Sequence, residues 1–173
     1  MLGFGGSTWK VGTATSGPAD GLPYLATNPG STYPNGVDDW VRLPTVDFTS
    51  YMSCKIRLTV EVWRNAEKYG LVYYDGGNVQ YTTDPAAATG WTAVPAASMG
   101  YDGSLDCGAG CLVSGQQVWS SSSNPKLKTG IYDAATPPGS SVTLRFTFHS
   151  DSDNTNGPLP GLYVRRVLWE ALP

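Results

Sequence analysis

The sequence predicts an all-β protein, a two-sheet antiparallel β-sandwich with long irregular loops, on three observations. Two segments alternate apolar and polar residues with the period of a half-buried strand. Cys54, Ile56, Leu58, Val60 and Val62 alternate with Lys55, Arg57, Thr59 and Glu61, and Val142, Leu144, Phe146 and Phe148 with Thr143, Arg145, Thr147 and His149. Turn formers abound, with 21 Gly and 13 Pro in 173 residues, while only 14% of residues are charged, the balance of many short strands joined by turns. No segment carries a convincing helical period, and the composition does not shift along the chain, so residues 1–173 read as one domain.

Taken in order, residues 1–36 lack periodicity and are rich in Gly, Pro, Ser, Thr and Asn. They are expected to wrap the sandwich as irregular coil, with one short strand at most and few buried contacts. Residues 40–43 form a short strand before Pro44, and residues 53–63 form the clearest strand of the chain. Two β-prone runs, 71–74 and 79–82, flank Asp75-Gly76-Gly77, where positive φ is cheap, and read as a hairpin. A short strand at 91–94 precedes residues 95–111, which are too rich in turn formers for regular structure. Residues 113–119, 127–132 and 142–148 supply further strands. In the last one, 162–169, Tyr163, Val164, Val167 and Trp169 cannot keep one parity across Arg165-Arg166, which predicts a bulge there. The total is about eight strands, at the spacing of a sandwich.

A net charge of -3 without any Lys/Arg cluster argues against nucleic acid and anionic membrane as partners. No apolar run reaches the roughly 18 residues of a spanning helix. The first residues lack the basic start and apolar stretch of a signal peptide, so export implies a leader already removed. An extracellular or cell-surface setting is nevertheless expected from the Thr-, Ser-, Gly-, Asn- and Tyr-rich composition and from the cysteines. Cys107 and Cys111 flank Gly-Ala-Gly, close enough for a local disulfide, which is favoured over two free thiols or an incomplete zinc shell. Cys54 starts the alternating run and is expected as a buried free thiol.

The order of 36–46, Asp47-Phe48-Thr49-Ser50, the long strand to Trp63, Tyr74-Asp75-Gly76-Gly77-Asn78-Val79, the Trp91 strand, 142–148, Ser150-Asp151 and Gly161-Leu162-Tyr163-Val164 resembles the MAM-like jelly-roll domains attached to immune-inhibitor-A type metallopeptidases and other exported bacterial proteins. The resemblance covers most of residues 20–170. It implies a jelly-roll, galactose-binding-like sandwich and a non-catalytic accessory module for adhesion, substrate docking or domain packing, often with a structural calcium. Two positions depart from that pattern: Arg165-Arg166 stands where paired Asp is usual, and no acidic residue lies near Phe4-Gly5-Gly6.

Candidate sites follow from residue chemistry. Alternating carboxylate and amide oxygens at Asp151, Asp153, Asn154 and Asn156 can converge on calcium, a hard ion that takes six to eight oxygens, with Asp47 as a remote ligand. Flat aromatic faces stack on sugar rings, and the candidates are Trp40, Trp63, Tyr74, Trp91, Tyr101 and Trp119. Partners are therefore a glycan or protein surface, the parent chain, or further copies. Catalysis is not expected. The single His149 lies on the polar parity of a strand, no nucleophile elbow or zinc helix is present, and Glu61, Glu67 and Glu170 have no paired-carboxylate context.

Overall fold

The alternation at residues 54–65 becomes an eleven-residue strand whose even-numbered side chains, from Ile56 to Arg64, are all buried. The computed structural model describes residues 2–6, 8–106, 112–113, 115–121, 126–153 and 157–173. Its strands in chain order are β1 (Gly3–Phe4), β2 (Trp9–Thr13), β3 (Pro23–Thr27), β4 (Asp38–Arg42), β5 (Val46–Asp47), β6 (Lys55–Asn65), β7 (Lys68–Tyr69), β8 (Val72–Tyr73), β9 (Val79–Thr82), β10 (Thr92–Ala93), β11 (Gly103–Ser104), β12 (Gln117–Val118), β13 (Lys126–Ala134), β14 (Ser141–His149) and β15 (Gly161–Leu172). A 3₁₀ turn at Thr49–Tyr51 and a single helical turn, α1 (Ala96–Met99), are the helical elements among the described residues.

The strands form an antiparallel β-sandwich. One sheet runs β1-β4-β14-β9-β10, with β5 also on β14, and the other runs β13-β6-β15-β3-β2. Their inner faces meet in one core, with Val41, Val79, Leu144, Phe146 and Phe148 from the first sheet against Leu58, Val60, Val62, Leu162 and Val164 from the second. Each large apolar side chain so removed from water contributes roughly 1.5–3 kcal/mol. The predicted bulge is present: the β15–β6 register shifts between Val164 and Arg166, so Val164 and Val167 both face inward while Arg165 is ejected.

Four expectations are corrected. Residues 1–36 are not mere wrapping, because β2 and β3 extend the second sheet and bury Trp9, Tyr24 and Ala26, and the coil after β3 buries Tyr33. Residues 71–82 are not a hairpin: β8 pairs with β7, and β9 with β14 and β10. Gly76 and Gly77 instead bridge His149 and Trp119, and a Cβ on Gly77 would collide with the Thr147 carbonyl, so these glycines serve close backbone approach. The segment from Pro95 holds α1 and β11, because Met99 packs onto Gly130 of β13. Cys54 is free but only half-buried, since it precedes the first residue of β6 rather than lying inside it.

Candidate functional site

The side of the first sheet turned away from the core is chemically unusual, because its polar side chains on β14 and β9 are buried as well. Parity places Arg145 and Thr147 of β14 opposite the core residues Leu144, Phe146 and Phe148, and register sets Arg145 directly across from Arg42 of β4 and Gln80 of β9. The Arg42 guanidinium lies 5.3 Å from the Trp40 ring centre and 5.0 Å from that of Trp91, and the Arg145 guanidinium lies 4.5 Å from Trp91. Cation and ring thus alternate across the sheet as Trp40, Arg42, Trp91 and Arg145, a contact worth about 0.5–2 kcal/mol per pair.

Beneath this ladder the polar side chains are fixed by one another. Arg145 Nε donates to Gln80 Oε1 (2.8 Å), Gln80 Nε2 and Asn78 Nδ2 both donate to Gln116 Oε1 (3.0 and 2.8 Å), and Thr147 Oγ1 donates to Asn78 Oδ1 (2.8 Å). Arg42 donates to the carbonyls of Pro85 (3.1 Å) and Ala87 (2.9 Å), which ties down the loop leading to Trp91. Burial pushes Arg145 down to about 10, and the neighbouring charge of Arg42 adds to this. At the end of the same face Asp38 accepts from the Leu112 amide (3.0 Å) and stands 3.4 Å from His149 Nδ1.

A second site lies where β14 ends. Carboxylate oxygens of Glu67, Asp75 and Asp151 fall within 4.8 Å of one another. Glu67 and Asp75 are buried at 1% and 0% exposure. Asp75 accepts from the Tyr33 hydroxyl (2.5 Å) and from the Asp151 amide (2.8 Å). Desolvation raises Asp75 to about 7 despite those two hydrogen bonds, and the charges of Asp151 and Glu67 push the same way. Burial, and then the charge of Asp75, raises Tyr33 as well. Three crowded carboxylates are a hard, all-oxygen donor set of the kind that calcium takes, so these residues could hold such an ion.

The sequence-predicted residues fall into different places. Asp151 enters the acidic site, but with Glu67 and Asp75 as its companions. Asp47 spends its carboxylate on the amide and hydroxyl of Thr49 (2.8 and 2.6 Å) and takes no part in that cluster. Asp153 is exposed, and its amide caps onto Asp151 (2.8 Å). Asn154, Asn156, Cys107 and Cys111 lie outside the described residues. Trp119 is sealed in the core, its indole donating to the Met99 carbonyl (3.0 Å). Tyr101 packs edge-on against Trp119 at 4.7 Å and hydrogen-bonds the Val79 backbone, so both serve the fold. Trp63 stands on the opposite sheet, edge-on to Tyr163 at 5.4 Å, and Tyr74 adjoins Asp75, its amide donating to the Glu67 carbonyl (3.3 Å). On the outer face Trp40 and Trp91 are brought together through the Arg42 guanidinium.

The residues missed were Arg42 and Arg145, two arginines on the polar parity of strands, a position where charge is ordinarily unremarkable. Glu67 was missed because it lies in no acidic motif and reaches Asp75 only through the short β7–β8 excursion. No family model matches the chain, and no curated protein matches it in sequence.

Proposed function

We propose that this chain is a non-catalytic recognition or adhesion module of an exported protein, with the Trp40–Arg42–Trp91–Arg145 face as its ligand-contacting surface and the Glu67–Asp75–Asp151 cluster as the seat of a structural calcium. The carrying observation is the cation–ring ladder, built on the outside of a sheet and held by a closed network of amides and hydroxyls. Such pre-organisation is what a binding surface needs and what stability alone does not ask for. The resemblance to MAM-like jelly-roll domains agrees with a module lacking catalytic machinery and with a cation close to the sandwich end. In this reading calcium holds residues 75–78 against 149–151, and Asn78, Gln80 and Arg145 project from those same strands.

A glycan and protein array probed with the intact domain and with Trp91→Ala tests it. Binding lost in the variant while its melting temperature is kept supports the reading. A hydrolytic activity abolished by Glu61→Gln or by Asp151→Asn would overturn it.

A second reading, a self-assembling or docking subunit, is favoured by one observation. β13 is an edge strand, paired on one side with β6, and exposes Leu127 (40%) and Ile131 (44%) on its outer face. Such an edge can accept another strand. Native mass spectrometry separates the readings: a specific oligomer dispersed by Ile131→Lys supports assembly, and a monomer at every concentration removes it.

A further inference from the structure

Arg42 and Arg145 occupy directly opposed positions on β4 and β14, an arrangement in which like charges repel. Neither forms an ion pair with a carboxylate among the described residues. Asp38, the carboxylate whose charge reaches Arg145, accepts from the Leu112 amide and lies 3.4 Å from His149 Nδ1. Arg145 is 7% exposed, its Nε is held by Gln80, and its two terminal nitrogens make no hydrogen bond to the described residues. Nor are those nitrogens sealed: the unpartnered buried polar atoms include Arg42 Nε and Trp91 Nε1 but no atom of Arg145. A nine-tenths buried guanidinium therefore presents a free pair of donors to solvent, from a fixed position, in a protein whose net charge is -3.

The rings argue in the same direction. Trp91 carries two guanidiniums, and Trp40 carries Arg42 while Gly5 packs so close that a Cβ there would collide with its indole. Their faces are occupied, so they hold cations rather than offer bare platforms for a neutral sugar. Resting on the recognition reading above, we propose that this face binds a carboxylated glycan, with Arg145 taking one planar carboxylate through its terminal nitrogens and with Arg42 and Trp91 positioning it. The planar fork of a guanidinium matches a carboxylate two bonds at a time. Beneath it Gln80, Asn78, Thr143 and Thr147 are buried and hydrogen-bonded to protein groups, so they fix the guanidinium and leave its terminal nitrogens as the donors a ligand meets.

Calorimetric titration of the intact protein with oligogalacturonate, with its methyl ester and with polyglutamate tests the proposal. The acid binds, and the ester binds about tenfold or more weaker, the loss expected for charge-assisted hydrogen bonds. Arg145→Lys, which keeps the charge and loses the fork, weakens the acid and leaves the ester unchanged. Equal binding of acid and ester overturns the charge selection and leaves the recognition reading standing. Polyglutamate binding as tightly as the sugar acid overturns the glycan class. Failure to bind either oligogalacturonate or any other glycan overturns the proposal together with the glycan side of the reading beneath it. The acid-against-ester comparison uses the unaltered protein, so a variant that fails to fold does not blunt the test.

Discussion

Stripping divalent cations should make the stability of this domain fall as pH rises from about 4 to about 7, the opposite of the usual trend for a carboxylate, and calcium should abolish that fall. Asp75 is fully buried, with Glu67 and Asp151 beside it, and is raised from 3.8 to about 7. A carboxyl raised on folding holds its proton in the native state after the unfolded chain has released it, so its contribution is complete below pH 4 and is lost as pH climbs to 7. The difference of roughly three units, at 1.36 kcal/mol each, corresponds to about 4 kcal/mol. For a chain of this length each kcal/mol moves the melting temperature by about 2–4 °C, so the shift is on the order of 10 °C. The assay is thermal unfolding by circular dichroism in chelator at pH 4.5, 6 and 7.5, repeated in millimolar calcium. Calcium at a hundred times its dissociation constant restores about 2.7 kcal/mol at the highest pH. Asp75→Asn should flatten the chelator profile and erase the calcium response together. A melting temperature that is level or rises over this window in chelator would refute the reasoning about Asp75, and an absent calcium response would refute the cation site.

Other perturbations have equally definite outcomes. Asp102 receives Arg64 bidentately (2.8 and 2.7 Å) and the Ser120 amide (3.0 Å), with the Arg64 side chain 3% exposed. Asp102→Ala deprives a buried guanidinium of its carboxylate and should cost roughly 3–5 kcal/mol in urea unfolding. The hydrogen bonds from Arg64 and Ser120, which hold Asp102 below its ordinary range against its own burial, add acid sensitivity: that stability is present above about pH 4 and is lost as pH falls through the lowered value. Gly77→Ala should destabilise by about 3 kcal/mol or more, because the methyl meets the backbone carbonyl of Thr147 rather than only a yielding side chain. A thiol count on denatured, unreduced protein should find Cys54 alone reactive, with reduction adding about two hydrogens to the intact mass if Cys107 and Cys111 are bridged.

The strands that dominate the sandwich were legible because their periodicity is imposed by one buried face. β6 follows its alternation residue by residue, β14 keeps its apolar residues on the core face although its polar face is covered as well, and the β15 bulge was visible as a conflict of parity at Arg165-Arg166. The N-terminal strands were not legible, because β2 buries one aromatic, Trp9, at its start, and β3 buries Tyr24, Ala26 and Thr27 over a run too short to show a period. Asp75-Gly76-Gly77 misled for a related reason. Glycine marks either a turn or a close approach, and sequence does not distinguish the two until the neighbouring strand is known. At the acidic site Asp151 was recognised as an oxygen donor, but its companions come from residues 67 and 75 rather than from its own loop. Convergence of that kind is a product of topology.

Both unusual sites share a physical signature, the crowding of like charge in or beside the folded interior. A chain with few charges could have placed apolar or neutral residues at 75, 67, 42 and 145. Instead it gathers three carboxylates where two are buried, and opposes two arginines across a strand pair. Each arrangement costs folding energy in isolation, through desolvation and like-charge repulsion, and each is relieved by a partner of opposite sign. The two are also mechanically joined, since β14 carries Arg145 and leads directly to Asp151, about 20 Å further along at the rise of an extended strand. Neutralising the carboxylates should therefore tighten the strand end that supports the arginine face. Calcium would then raise affinity for an anionic ligand without touching it, and titrating that ligand in chelator and in calcium should give a weaker constant in chelator. Equal constants would separate the two sites and leave the cation with a purely stabilising role.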